Sequence, residues 1–250
     1  MPSYRRYKNY DDIAWVYNRY WGGRFLQTSL AALENLVLAH LPENATVLDV
    51  CCGTGQLAQS LLKRGFKVTG IDGSREMLKY ARHNAPGGTF ILDDARTFTL
   101  SSAFHLAVSM FDSLNHVLSL RELTDVFANV RSALLDGGFF LFDLITEKGY
   151  QTNWNGYTGI VADDHVCLTL DSYNQEEHLA RFEATIFRLK KAWQRSDVLL
   201  PERCYSEEEI RSALETSGFD DIVSYECDGK SGFKEMTEEA ERAFFLCFKH

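Results

Sequence analysis

An aspartate stands just ahead of a tight small-residue turn in the run Asp49-Val50-Cys51-Cys52-Gly53-Thr54-Gly55. Apolar Val47-Leu48 precedes it and Gln56-Leu57-Ala58 follows, so the segment reads as a strand, a turn and a helix start. Glycines at 53 and 55 let the backbone approach a ligand closely, because no Cβ intervenes. The helix behind them points its free N–H groups into the same crevice. Its glycines alone, Gly53-x-Gly55-x-x-Ala58, also fit a dinucleotide site. The acids argue otherwise. Asp49 precedes the turn, and Asp72 and Asp94 close two further apolar runs, Lys67–Ile71 and Thr89–Leu92. Any one of them is as readily a helix cap or a turn former. Three in register beside a glycine turn are hard to explain by capping alone.

A pyrophosphate on that turn would meet the charge of Asp49. S-adenosylmethionine carries no phosphate; it brings an ammonium, a carboxylate, a ribose diol and a sulfonium. Asp49 suits the ammonium, directly or through water. Asp72 suits both ribose hydroxyls, since a carboxylate offers about four lone-pair sites. Asp94 suits the adenine amino group, with the Ala95 N–H beside it.

The elements that must position these groups follow from periodicity. Residues 11–40 read as helical, with apolar residues at i, i+3, i+4 spacing, closed by Pro42. Strands at 46–51, 67–71, 89–92, 105–110 and 139–144 alternate with helices at 55–64, 74–84 and 120–134. Gly65 suits a helix C-cap, and Ser74 an N-cap with Glu76 in the first turn. Such alternation implies a parallel sheet covered by helices on both faces, with ligands outside the carboxyl ends of its strands. After residue 145 the pattern turns β-rich at 157–172 and 180–192, as an antiparallel insertion. Ser206-Glu-Glu-Glu209 is a capping-box helix start, and 219–227 and 242–249 read as two closing strands.

The segment Met110–His116 follows the fourth strand. His116 is the candidate general base, because an unperturbed imidazole suits taking a proton near neutrality; the plainer reading is a histidine that only bonds backbone. Asp112 and Asn115 are weaker candidates for orienting an acceptor. Tyr10, Tyr17 and Trp21 share one helical face. They are a lid over a sulfonium through cation–π attraction, or an ordinary core stripe.

Bulk properties bound the rest. A chain of 250 residues with 45% hydrophobic content suits one α/β domain with an insertion. The net charge of −9 argues against a nucleic-acid partner, and Arg5, Arg6 and Lys8 with Arg19 and Arg24 read as solvated faces. Six scattered cysteines lack metal-ligand spacing, so no metal is expected. No window suits a membrane span, and the expected location is cytoplasmic. A homodimer is left open.

Taken as a set, Val47–Ala58, Gly70-Ile71-Asp72-Gly73-Ser74 with Met77-Leu78, Asp93-Asp94-Ala95 and Leu134–Phe142 resemble the successive motifs of class I S-adenosylmethionine-dependent methyltransferases. The resemblance covers roughly residues 40–145. Cys51 stands where that family's turn usually has its first glycine. It implies a Rossmann-like, doubly wound, seven-stranded and mostly parallel sheet with an antiparallel β insertion after the fifth strand. The expected parts are an N-terminal helical lid (1–40), a cofactor core (41–145), the insertion (146–200) and a closing segment (201–250). It also implies that Asp49, Gly53 and Gly55 hold the methionine part, with Cys51 among the cofactor-binding positions, and that Asp72 holds the ribose. Gly73 and Met77 line the adenine, Asp94 and Ala95 read its edge, and Phe111 closes over it, with Tyr10 and Tyr17 from the lid. The Met110–His116 segment resembles the small-molecule N- and sugar-amine branch. The implied activity is methyl transfer to a small amine or hydroxyl acceptor, with S-adenosylhomocysteine as product. An RNA or protein methyltransferase, a non-catalytic S-adenosylmethionine-binding module and an NAD-dependent oxidoreductase are the competing readings.

Overall fold

A computed structural model describes residues 6–227 and 232–250; Arg5, within the basic N-terminal run, lies outside them. Eight strands form the central sheet in the order β11-β10-β12-β5-β4-β1-β2-β3. They are β1 (Thr46–Val50), β2 (Lys67–Asp72), β3 (Thr89–Leu92), β4 (Phe104–Ser109), β5 (Leu134–Ile145), β10 (Asp221–Cys227), β11 (Phe233–Glu235) and β12 (Arg242–Phe248). The first five run parallel and β12 returns antiparallel beside β5. The three-residue β11 pairs with β10 at the sheet edge and raises the expected seven strands to eight. It is too short to show period-two alternation, which is why the sequence did not disclose it.

Helices α3 (Gln56–Lys63), α4 (Arg75–Asn84) and α5 (Leu120–Ala133) cover the two faces. Alternate residues of each central strand feed opposite layers: Leu48 and Val50 join Phe127, Phe140 and Phe142 on one side, Val47 joins Leu61, Val68 and Phe244 on the other. The caps follow the sequence. Ser74 Oγ accepts from the Met77 N–H at 3.1 Å, and Ser206 and Glu209 close a capping box on α7 (Glu207–Thr216). A short helix that the sequence did not signal, α6 (Glu147–Asn153), follows β5 and is capped by Thr146.

The N-terminal segment is not one helix. α1 (Lys8–Val16) passes into a π-helical turn, Tyr17–Trp21, and α2 (Leu26–Leu36) begins only after Gly22-Gly23. The insertion is a four-stranded antiparallel meander, β6 (Gly156–Ala162), β7 (His165–Asn174), β8 (Leu179–Leu189) and β9 (Trp193–Arg203). Its inner face carries Cys167, Ala184, Ile186, Val198 and Leu200. These pack on Ile13, Ala14 and Val16 of α1, and Met77 of α4 closes the cluster. Helix α1 is thereby held between the core and the insertion. Asp11 Oδ1 ties it to the start of α4, accepting from Ser74 Oγ at 2.7 Å and the Glu76 N–H at 3.0 Å.

Candidate active site

Parallel pairing sets Val50 opposite Ile71 and Asp72 opposite Leu92, so the turn after β1 and the ends of β2 and β3 share one sheet edge. Asp49 is 3% exposed, and its Oδ2 has no hydrogen-bond partner among the described residues. Burial, with the charge of Asp72 adding, pushes its pKa up to about 8. A buried carboxyl oxygen without a partner beside a glycine turn is a place prepared for a donor or a cation.

The turn is left-handed at Cys51 (φ 61°), Gly53 (φ 53°) and Gly55 (φ 81°). The Cys51 position therefore favours glycine for its backbone as well as its size, and a cysteine there carries strain. A Cβ on Gly55 would stand 2.9 Å from Ala81 Cα, so that glycine also lets α3 and α4 meet. Asp72 closes the turn, with Oδ2 accepting from the Gly53 N–H at 2.9 Å and Oδ1 from the Ser74 N–H at 2.8 Å. Burial raises Asp72 to about 6, against the lowering pull of those two bonds. Each oxygen keeps a lone pair for a diol.

Asp94 stands at the same edge with its carboxylate already engaged. Oδ1 accepts from Arg96 Nε and Oδ2 from Arg96 Nη2, both at 2.7 Å. The guanidinium fork matches a carboxylate in two bonds, and despite partial burial these bonds hold Asp94 below its usual range. The carboxylate expected to read the adenine amino group is thus paired with Arg96 in this structure. Ala95 is buried beside it. Tyr7, which the sequence reading passed over, receives a bond from Arg96 Nη2 at 3.1 Å, and its ring lies where a Cβ on Gly73 would be, 2.0 Å from its Cζ.

Phe111 and Asp112 follow β4 with two successive left-handed residues, φ 64° and 49°. Buried Asp143 of β5 holds this strained turn, accepting from the Phe111 N–H at 2.6 Å and the Asp112 N–H at 3.1 Å. Arg242 of β12 pairs with Asp143 and, at 2.6 Å, with Asp112 Oδ1, and lies 4.2 Å over the Phe25 ring. Phe111 stacks on Phe25 and tilts against Tyr17 at 6.1 Å. Tyr10 meets His116 edge-to-face at 5.6 Å. Tyr17, Phe25 and Phe111 join Asp49, Cys51 and Gly53 around a cavity of about 50 Å³. Organic ligands occupy hundreds of Å³, more than this cavity offers as it stands. A larger cavity of about 690 Å³ lies elsewhere, between α7 and β12, and touches none of the turn residues.

His116 ends a 3₁₀ turn (Ser113–His116) and is brought against β9 of the insertion. Its Nδ1 lies 3.1 Å from the Pro201 carbonyl and its Nε2 3.5 Å from Glu202 Oε1. Desolvation lowers its pKa, against the raising pull of Asp112. Asn115, expected among the acceptor-orienting groups, is instead a buried clamp: it accepts from the Ile145 N–H at 3.0 Å and donates to the Arg203 carbonyl at 2.9 Å. Glu202, Asp143 and Arg242 were not singled out from sequence. Isolated charges in otherwise alternating strands were the available signal.

Residues 47–138 match the family model described as a methyltransferase domain. The chain is an S-adenosylmethionine-dependent methyltransferase. The enzyme is similar to YqeM of Bacillus subtilis (strain 168), with 28% identity over 84% of this chain and 87% of that one. It is 33% identical to the dTDP-3-amino-3,4,6-trideoxy-alpha-D-glucopyranose N,N-dimethyltransferase of Streptomyces venezuelae, over 51% of this chain and 54% of the relative. Its fold is that of an S-adenosylmethionine-dependent methyltransferase from Clostridium acetobutylicum ATCC 824, at TM-score 0.77 and 23% identity, covering 96% of this chain and 98% of the other.

Proposed function

We propose that this methyltransferase acts on a small amine, the acceptor entering opposite the glycine turn between His116 and the N-terminal aromatics. The observation that carries the reading is the edge-to-face pair of Tyr10 and His116 at 5.6 Å, on the same sheet edge as the partnerless Asp49 Oδ2. The nucleoside-linked amino sugar named for the Streptomyces venezuelae relative supports the amine class.

S-adenosylmethionine supplies a methyl group already activated by its sulfonium, so chemistry asks chiefly for placement. Asp49, Cys51, Gly53 and Gly55 hold its methionine part, with Asp49 taking the ammonium. Asp72 holds the ribose diol by its remaining lone pairs. Gly73, Met77, Asp94 and Ala95 line the adenine region, Asp94 through whatever its Arg96 pair leaves open. Phe111, Tyr10 and Tyr17 exclude water over the reacting centre. His116 takes a proton from a protonated acceptor. The Pro201 carbonyl accepts Nδ1–H, which puts the lone pair on Nε2, the nitrogen that faces Glu202.

The decisive experiment is calorimetry with S-adenosylhomocysteine, then methyl transfer from labelled S-adenosylmethionine to dTDP-3-amino-3,4,6-trideoxyglucose and simpler amines. Binding without turnover on any amine would overturn the acceptor reading and revive the non-catalytic module. The net charge of −9 supports a partner other than nucleic acid. The outer face of the insertion, with Tyr157 82% and Val161 80% exposed, supports a homodimer, to be checked by light scattering. No described helix is long and apolar enough to cross a membrane, in keeping with the cytoplasmic reading.

A further inference from the structure

Glu202 is the buried acid that the scheme above does not use. It sits on β9 at 3% exposure, directly after the Pro201 whose carbonyl receives His116 Nδ1. Its Oε2 accepts from the Tyr150 hydroxyl at 2.7 Å, which leaves Oε1 facing His116 Nε2 at 3.5 Å. Two neighbouring residues of one strand thus address both nitrogens of a single imidazole. The 3₁₀ turn carrying His116 is fixed to that strand by Asn115, so the pairing is built and not incidental.

Other titratable and charged groups surround the pair. Asp112 comes from the same loop as His116, Tyr10 from α1, Tyr150 from α6, Asp171 from β7 and Arg242 from β12. Burial and the charge of Asp112 push Glu202 well above its usual range, whereas burial lowers His116. Burial thus disfavours the charged form of each group. The three residues Asp112, His116 and Glu202 offer donor atoms within 4.8 Å of one another. Arg242 Nη2, 2.6 Å from Asp112 Oδ1, already supplies a fixed positive charge there. The vacant demand is for a charge that comes and goes.

We propose that Glu202 is a positioning residue that acts through His116: it ionises when an ammonium acceptor enters and then stands as the counter-charge of the imidazolium. The inference rests on the amine reading above. The bookkeeping closes. Entry of R–NH3+ expels the Glu202 acid proton to water and leaves a carboxylate. The ammonium N–H bond then breaks as an Nε2–H bond forms on His116, giving a neutral amine and an imidazolium beside Glu202. The amine lone pair forms the N–C bond as the sulfonium S–C bond breaks. The imidazolium then returns its proton to water, the N-methylammonium product leaves, and Glu202 regains its acid proton from water, so one proton is released for each methyl transferred.

An acceptor-free test comes first. Imidazole NMR of His116 in the whole enzyme should show two steps with pH, its own below and that of Glu202 above. Glu202→Gln should abolish the upper step. A single step in the wild type overturns the proposal. Should Glu202→Gln fail to fold, Tyr150→Phe carries the same test: losing the donor to Oε2 should move the upper step to higher pH, and an unmoved step overturns the proposal.

Turnover supplies a second reading. With dTDP-3-amino-3,4,6-trideoxyglucose, Glu202→Gln should lower kcat/KM at pH 7 by roughly tenfold or more. That loss should vanish above the pKa of the amine, while affinity for S-adenosylhomocysteine stays unchanged. A loss that is equal at every pH marks a merely structural role, and activation by added Mg²⁺ or Mn²⁺ marks a metal site; either overturns the proposal. Wild type that methylates no amine fails the functional reading instead, whatever the titration shows.

Discussion

The Gly53 backbone N–H donates to Asp72 Oδ2 at 2.9 Å, joining the turn after β1 to the end of β2. Asp72 therefore shapes the cofactor turn as well as facing it. Asp72→Ala should weaken S-adenosylhomocysteine about 10- to 100-fold by calorimetry, the scale of one or two lost bonds to a charged group. It should also lower the thermal midpoint without ligand, because the Gly53 and Ser74 N–H groups lose their acceptor. Unchanged affinity would sink the ribose assignment.

The ligand-free enzyme should lose stability as pH rises. Asp49 titrates near 8 and Asp72 near 6 in the fold, against a reference of 3.8. Both are acids raised by burial, so the unfolded chain ionises first. Their contribution is complete below about pH 4 and is lost through pH 6 for Asp72 and pH 8 for Asp49, on the order of a few kcal/mol. Thermal melts from pH 4 to 9 check the slope, and Asn in place of Asp49 should flatten its upper part. If Asp49 pairs with the ammonium of S-adenosylmethionine, its affinity should rise with pH over the upper part of that range. A pH-independent affinity would remove Asp49 from the ammonium site.

The strain at Cys51 makes a separate claim. Its φ of 61° costs a β-carbon-bearing residue about 1–2 kcal/mol, partly offset by the greater backbone entropy of an unfolded glycine. Cys51→Gly should therefore raise the unfolding free energy slightly, by up to about 1 kcal/mol, and keep cofactor binding. Cys51→Val should do the opposite, as a β-branched side chain tolerates that conformation least. Two denaturant titrations settle the order.

Arg242→Ala should be severe. It removes the partner of Asp143, fully buried, and of Asp112, both holding the turn at Phe111. Breaking such a buried pair costs about 3–5 kcal/mol. Urea unfolding measures it, and a loss under about 1 kcal/mol would show the pair to be peripheral.

The Tyr20 hydroxyl, meeting His165 Nε2 at 2.7 Å, latches the N-terminal cover to the insertion, beside the Asp11 bonds that tie it to α4. Tyr20→Phe should cost only about 1 kcal/mol in global stability. It should speed amide exchange selectively over residues 8–21, the segment that carries Tyr20. Uniform exchange across the chain would contradict a local latch.

The sequence by itself determined the α/β alternation, the strand ends carrying Asp49, Asp72 and Asp94, the caps at Ser74 and Ser206 and the antiparallel character of the insertion. These are local matters: period-two and period-3.6 patterning, caps and glycine turns act within a few residues. It also placed His116 after the fourth strand. Tertiary structure alone decided what each of these groups faces. Arg96 takes the Asp94 carboxylate, Tyr7 covers Gly73, and Asp143 with Arg242 holds Phe111 in place. β9 sets Pro201 and Glu202 against His116 from 85 residues away. Pairings of that kind depend on which strands become neighbours and which side chains lose water. No spacing in the chain encodes them, so the glycine turn was legible and the surroundings of the candidate base were not.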